Sequence, residues 1–192
     1  MLEIVLEERF PKPVKLDDGT RVILRPLIPQ DESALVEFFK DMPEEDILYL
    51  RDDVKNPEVI KKWCQNLNYE LILPLIAEIE GKIVGDASLH QERRGWKSHI
   101  GTVRIVIHPK VRGKGLATAL VQEIIDVALD IGLVKLDAEF MAEQGRPVGV
   151  FEKLGFVNMA VLPQHVKDLK GESHDLVIMV YDLRATEHYA AD

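Results

Sequence analysis

Residues 112–118 read Arg-Gly-Lys-Gly-Leu-Ala-Thr, and the chemistry of that spacing is anion binding. Gly113 and Gly115 leave neighbouring backbone N–H groups uncovered, and Arg112 and Lys114 bring positive charge beside them. Behind the loop, Leu116, Leu120, Ile124, Ala128 and Ile131 fall on one helical face, widened by Ala117, Val121 and Val127. The first turn of a helix has four N–H groups without partners and about half a unit of positive charge. A glycine loop feeding such a turn predicts a phosphate or pyrophosphate ligand. A plain tight turn is the other way to read the same glycines. Two common phosphate loops do not fit. Position 108, five residues before Gly113, is His108, so the Walker spacing fails; Thr118 stands where a dinucleotide fingerprint needs its third glycine.

Other reactive side chains are few. His108 stands where the preceding strand enters the loop, and a loop-entry role accounts for it. Cys64 is the single cysteine, so neither an internal disulfide nor a thiolate zinc cluster can form; its surroundings, Lys61 to Asn66, predict a packed residue on an amphipathic helix. His165, Asp168, His174 and Asp175 suggest a metal set, yet hairpin-turn chemistry explains them more simply, and no metal is expected.

The elements that must hold the loop can be read outward from it. Val103, Ile105, Val106 and Ile107 predict a strand covered on both faces, ended by Pro109. Gly132 stands where a left-handed residue would stop the helix. Leu2 to Arg9 predicts a strand, and Asp17-Asp18-Gly19 a hairpin turn into a strand from Thr20 to Pro26. Asp31 is the expected N-cap of a first helix and Asn56 of a later one, with Pro57 at its first position. Leu71–Ile79 and Lys82–Leu89 form a hairpin in which Gly85 predicts a bulge or close approach. Leu133–Phe140 is a strand, Gln144–Leu154 a helix, and Val157–Val166 with His174–Leu183 a final hairpin. This order predicts a mixed α/β protein, one central mixed sheet flanked by helices. A β extension (1–19), a main domain (20–184) and a fraying tail (185–192) divide the chain.

With 24 basic and 33 acidic residues the formal charge is −9, which argues against nucleic-acid binding and weakly for an amine substrate. No apolar run reaches membrane-spanning length, so a cytoplasmic protein is expected.

The segment Arg112 to Ala117 after Ile107-His108-Pro109 resembles the pyrophosphate loop of the GCN5-related N-acetyltransferases, [RQ]-x-x-G-x-[GA], with Arg112, Gly115 and Ala117 in the defined positions. Val150 to Phe156 (VFEKLGF) resembles that family's closing segment. The resemblance implies an acyl-CoA N-acyltransferase fold with acetyl-CoA as co-substrate. Backbone groups of Ile105, Val106 and Ile107 would pair with the pantetheine. Arg112, Gly113, Lys114, Gly115, Leu116, Ala117 and Thr118 would meet the pyrophosphate, and Gln144 and Phe151 would lie along the cofactor. It implies Glu139 as a base, and Tyr49, Arg51, Asp52 and Asp53 as lining the acceptor pocket. Phe151 stands where many members have the Tyr that protonates the departing thiolate, and Phe has no proton to give. Three functions follow: N-acetylation of a small-molecule, amino-acid or protein amine; non-catalytic acyl-CoA binding or sensing; and unrelated binding of ATP or NAD. The N-terminal extension is expected on the sheet edge or at the contact of a homodimer.

Overall fold

The computed structural model describes residues 2–184. Eight strands form one sheet in the order β1-β2-β3-β4-β5-β6-β8-β7. They are β1 (Lys12–Lys15), β2 (Arg21–Pro26), β3 (Ile72–Ile79), β4 (Lys82–Gln91), β5 (Ile100–Ile107), β6 (Lys135–Met141), β7 (Val157–Lys167) and β8 (Ser173–Asp182). All neighbours are antiparallel except β5 and β6, whose connection is a helix.

Among the described residues six α-helices accompany the sheet: α1 (Leu2–Arg9), α2 (Glu32–Lys40), α3 (Glu44–Ile47), α4 (Pro57–Gln65), α5 (Leu116–Asp130) and α6 (Gly145–Lys153). Side chains alternate across the strands, so each face has its own core. Leu73, Leu75, Ala87, Leu89 and Val103 pack with α5 and with Phe151 of α6 on one face. Ile76 and Ile83 pack with Leu35, Phe38 and Phe39 of α2 and Ile60 and Cys64 of α4 on the other. The expectation of a doubly covered β5 holds: Val103 joins the first core and Val106 packs on the second.

Local chemistry explains most boundaries. The Asn56 side chain accepts from the Glu58 N–H at 3.1 Å, capping α4 as expected. Gly132 has φ +80 and ends α5. Gly85 serves both expected purposes. A bulge in the β3–β4 register lies beside it, and a Cβ there would sit 3.0–3.3 Å from Ile107, Leu120 and Leu116. The absent side chain is what lets α5 lie against the sheet.

Two expectations are corrected. Residues 2–9 are helical, not a strand. Leu2, Val5, Leu6 and Phe10 pack toward the core at helical spacing, whereas Ile4, which alternation would place beside Leu2 and Leu6, is 60% exposed. Tertiary charge fixes this helix: Arg9 meets Asp130 at 2.6 Å and Asp126 at 3.4 Å, and Lys12 pairs with the buried Glu123 of α5. The second concerns Asp31, which does occupy the N-cap position of α2 but bonds elsewhere. Its carboxylate does not cap α2; it accepts from the Ile28 N–H at 2.9 Å and from both terminal nitrogens of Arg25 at 2.7 and 2.8 Å. Burial alone would raise its pKa, but these bonds outweigh burial and hold it below the ordinary carboxylate value. The tail from residue 185 lies outside the described residues. Among them, no helix is long and apolar enough to cross a membrane.

Candidate active site

β5 and β6 run parallel and pair only from Ile100–Lys135 to Val103–Ala138. Beyond that point β6 stays with β8 and β5 stays with β4, so the two strands part. Arg104 to Ile107 therefore present a β5 backbone edge toward a gap. An extended amide chain could add to it as a strand would.

The glycine loop closes one end of this gap. Gly113 and Gly115 have φ of +74 and +85, values that L side chains adopt at a cost. A Cβ on Gly113 would meet nothing within 4 Å, while one on Gly115 would lie 3.1 Å from the Asp17 carboxylate. The first internal bond of α5 runs from the Ala119 N–H to the Gly115 carbonyl, and no side chain caps the helix. The N–H groups of Leu116, Ala117 and Thr118 are thus without helical partners. The Leu116 side chain is buried in the core, so only its backbone faces the loop.

The expected pair of free cations at the mouth is not present. Arg112 turns back, donating from Nε to the Ile107 carbonyl at 2.9 Å and pairing with Asp46 of α3 at 2.8 Å. Lys114 meets Asp18 at 2.7 Å, because the β1–β2 turn sits on the loop with the Asp17 N–H on the Lys114 carbonyl at 3.0 Å. Lys114 and the turn N–H of Thr20 hold Asp18 well below the usual carboxylate range. What the loop offers an anion is mainly backbone.

The other end of the gap opens into a cavity of about 600 Å³ over the β3–β6 strands, roofed by α2, α4 and the loop after α3. Its floor is a patch of one sheet face. Asp86, Ser88 and His90 on β4 stand across from Val106, Arg104 and Thr102 on β5. Glu139 and Phe140 of β6 and Gln144 at the start of α6 close the side. Burial alone pushes the Asp86 carboxyl up to about 7, with no cation offsetting it. His90 shares a hydrogen bond of 3.0 Å with Ser88 and is pushed down to about 4, by burial first and then by Arg104 and Arg51. It is neutral at pH 7.

Ile105, Val106 and Gln144 line the cavity, as do Glu139, Tyr49, Arg51 and Asp52. Asp53 does not; its carbonyl caps the turn at Asn56 instead. Glu139 is ion-paired with Arg51. The Gln144 Oε1 accepts from the Met141 N–H at 2.9 Å, which leaves only its NH₂ for a ligand. Phe151 is wholly buried, its ring edge-on to Phe140 and Phe156 at 5.0 and 4.7 Å, and has no surface to offer a cofactor. His108 is a turn residue: its Nδ1 accepts from the Lys110 N–H and its Nε2 meets Asp41 at 3.2 Å. Cys64 is buried, and desolvation raises its thiol to about 11. Asp168 and His174 pair at 3.1 Å across the β7–β8 turn, and Asp175 accepts from the Gln164 N–H. Among the described residues, no three His, Cys, Asp or Glu are grouped to hold a metal ion.

The residues missed in the sequence are Asp86, Ser88, His90 and Arg104. Each lies at an alternate position of a strand, and the polar face of a strand ordinarily faces water. Only the roof formed by α2 and α4 makes them a site.

The fold has counterparts in solved structures. Mycobacterium smegmatis RimJ, in complex with CoA-disulfide, matches with a TM-score of 0.77 at 18% identity, covering 92% of this chain and 90% of that one. The GNAT domain of S. lividans PAT matches at 0.73 and 20% identity, covering 89% and 96%. The yncA protein of Salmonella typhimurium, with its cofactor acetyl-CoA, matches at 0.69 and 23%, covering 84% and 94%. These establish the fold. An acetyltransferase of Yersinia enterocolitica is 30% identical over 93 residues, and the aligned stretch spans 48% of this chain and 62% of that relative. The family model described as "Acetyltransferase (GNAT) family" matches residues 34–156, from the roof helix α2 through the loop to the end of α6. That match spans both the parted strands and the glycine loop, and on it the chain belongs to the GNAT acetyltransferase family.

Proposed function

We propose that the chain transfers an acetyl group from acetyl-CoA to a primary amine, with Asp86 as the base. Three observations support acetyl-CoA at this site. The parted β5 edge suits a chain of amides, the uncapped start of α5 suits a pyrophosphate, and the Salmonella relative was solved with acetyl-CoA. When bound, the thioester supplies an activated acyl carbon, to which the amine nitrogen bonds as the carbon–sulfur bond breaks. Ile105, Val106 and Ile107 would hold the amide chain through their backbone. The N–H groups from Gly115 to Thr118 would hold the pyrophosphate, and Arg112 would brace the loop.

Asp86 is the observation that carries the catalytic part. It stands on β4 opposite Val106, at the junction between the β5 edge and the cavity. An amine arrives at neutral pH as an ammonium ion and must lose a proton before it can attack. A carboxylate that titrates near 7 accepts that proton far better than an ordinary one. Glu139 also lines the cavity, but its pairing with Arg51 fits a positioning role. Phe151 donates nothing, so the departing sulfur takes its proton from water or from the Tyr49 hydroxyl on the same cavity wall.

The test is Asp86→Asn, with acetyl-CoA binding measured by calorimetry and turnover by thiol release. The expected result is unchanged binding and a kcat lower by about 10²–10⁴-fold. Wild-type turnover in the variant would remove Asp86 from the mechanism. Acetyl-CoA binding with no turnover on any amine would return the acyl-CoA sensor.

A further inference from the structure

Arg104 lies where two chambers meet. Together with Arg51, His90, Thr102 and Glu139 it lines both the main cavity and a smaller, polar one of about 210 Å³ that continues past it. Its Nε is buried and has no hydrogen-bond partner. A guanidinium placed in the middle of a sheet is ordinarily tied to carboxylates or carbonyls, because leaving its N–H groups unmet is costly. Here the two acids that face it, Asp52 and Glu139, do not bond it, and Glu139 is taken by Arg51. One cation is left over, pointing at a cavity.

We propose that the acceptor is an amino acid, an amine with a carboxylate close by, and that Arg104 receives the carboxylate with help from Arg51. The proposal rests on the acetyl-transfer reading above and adds the substrate class. Register supports it. Ser88 pairs with Arg104 and Asp86 with Val106, so Asp86 and Arg104 are diagonal neighbours, with Cα atoms about 7–8 Å apart. A proton acceptor and a cation standing at the two ends of that diagonal can bracket the two ends of an amino acid. The amine would sit beside Asp86 next to the β5 edge, and the carboxylate toward the vestibule. The neighbours are consistent with a positive field there: His90, between the two chambers, is kept neutral partly by Arg104 and Arg51. A polyamine, which the acidic sequence as a whole would suit, meets two arginines at this point.

Thiol release is measured with acetyl-CoA and the common α-amino acids. Each amino acid is matched with its carboxamide and its decarboxylated amine, and spermidine is included. The expected result is a kcat/KM for the best amino acid about tenfold or more above its carboxamide. Arg104→Gln should close that gap to within about threefold, mostly through KM, and Arg104→Lys should keep part of it. Equal use of the carboxamides, a preference for spermidine, or a gap untouched by Arg104→Gln would overturn the proposal while leaving acetyl transfer standing. A second readout does not need turnover: calorimetric binding of N-acetyl amino acids and their amides to wild type and Arg104→Lys. Carboxylate-selective binding without turnover would support the subsite and sink the transfer reading. No selectivity in binding or in turnover would sink the subsite.

Discussion

At the loop end of the cleft, recognition comes from backbone. The β5 edge, two left-handed glycines and the first turn of α5 lie in one run of the chain, residues 104–118. At the Asp86 end it comes from side chains that β4, β5, β6 and the loop after α3 bring together from positions 49 to 144. On the reading proposed above, the first end binds the co-substrate that every member would share. The second can change one side chain at a time without disturbing the sheet. On that reading, a common co-substrate and a variable acceptor are separated in the molecule as they are in the chemistry.

The sharpest way to break this comparison is at the loop. Gly115→Glu puts a side chain at φ +85 beside the Asp17 carboxylate and a negative charge at the start of α5. Acetyl-CoA affinity should fall by about a hundredfold or more. Calorimetry reads it, and Gly115→Ala should show a smaller loss. If the backbone end is as described, amino-acid selectivity in whatever activity remains is unchanged.

The acceptor end should announce itself in pH. As the proposed base Asp86 would act ionised, so kcat should fall about tenfold per unit below about 7 and level above it. Asp86→Asn should erase that limb, whereas Glu139→Gln should keep it and lower kcat/KM by about a few-fold through its loosened hold on Arg51. Stability runs the other way. A carboxyl raised above its unfolded value costs nothing while protonated near pH 4. The penalty on the folded state then builds as pH rises from about 4 to about 7 and is fully present above that. Asp86→Asn should therefore raise the melting temperature more at pH 8 than at pH 5.

How much of this the sequence disclosed follows the same division. The loop was legible because its residues are contiguous and because glycine, proline and an apolar helical face each have one local meaning. Asp86 was not legible, since a lone acid in Lys82–Gln91 reads as the wet face of a hairpin until α2 and α4 cover it. Leu2–Arg9 misled for a related reason. Its letters suit either period, and Arg9 and Lys12 settle the matter by pairing with acids more than a hundred residues away. Phe151 shows a third kind of limit. The motif locates α6 correctly, but it cannot say that this ring faces Phe140 and Phe156 instead of the cleft.

Phe151→Tyr tests that last point with a moderate effect. A hydroxyl placed between those rings finds no partner and should cost about 1–3 kcal/mol, a few degrees in Tm. Turnover should not rise. A gain in kcat would mean that the position reaches the departing sulfur after all, and that the cofactor end includes a side chain.

The smallest effect belongs to Gly113→Ala. Both loop glycines are left-handed, but only Gly115 has a neighbour where a Cβ would stand; at Gly113 there is open space. An alanine at φ +74 carries strain of about 1–2 kcal/mol in the free and the bound protein alike. Strain common to both states lowers Tm and leaves affinity alone. The variant should therefore melt a few degrees earlier and bind acetyl-CoA within about threefold of wild type. A loss as large as that of Gly115→Ala would show that Gly113 is kept bare for the ligand and not for the turn. The anion site would then begin two residues earlier than the start of α5 implies.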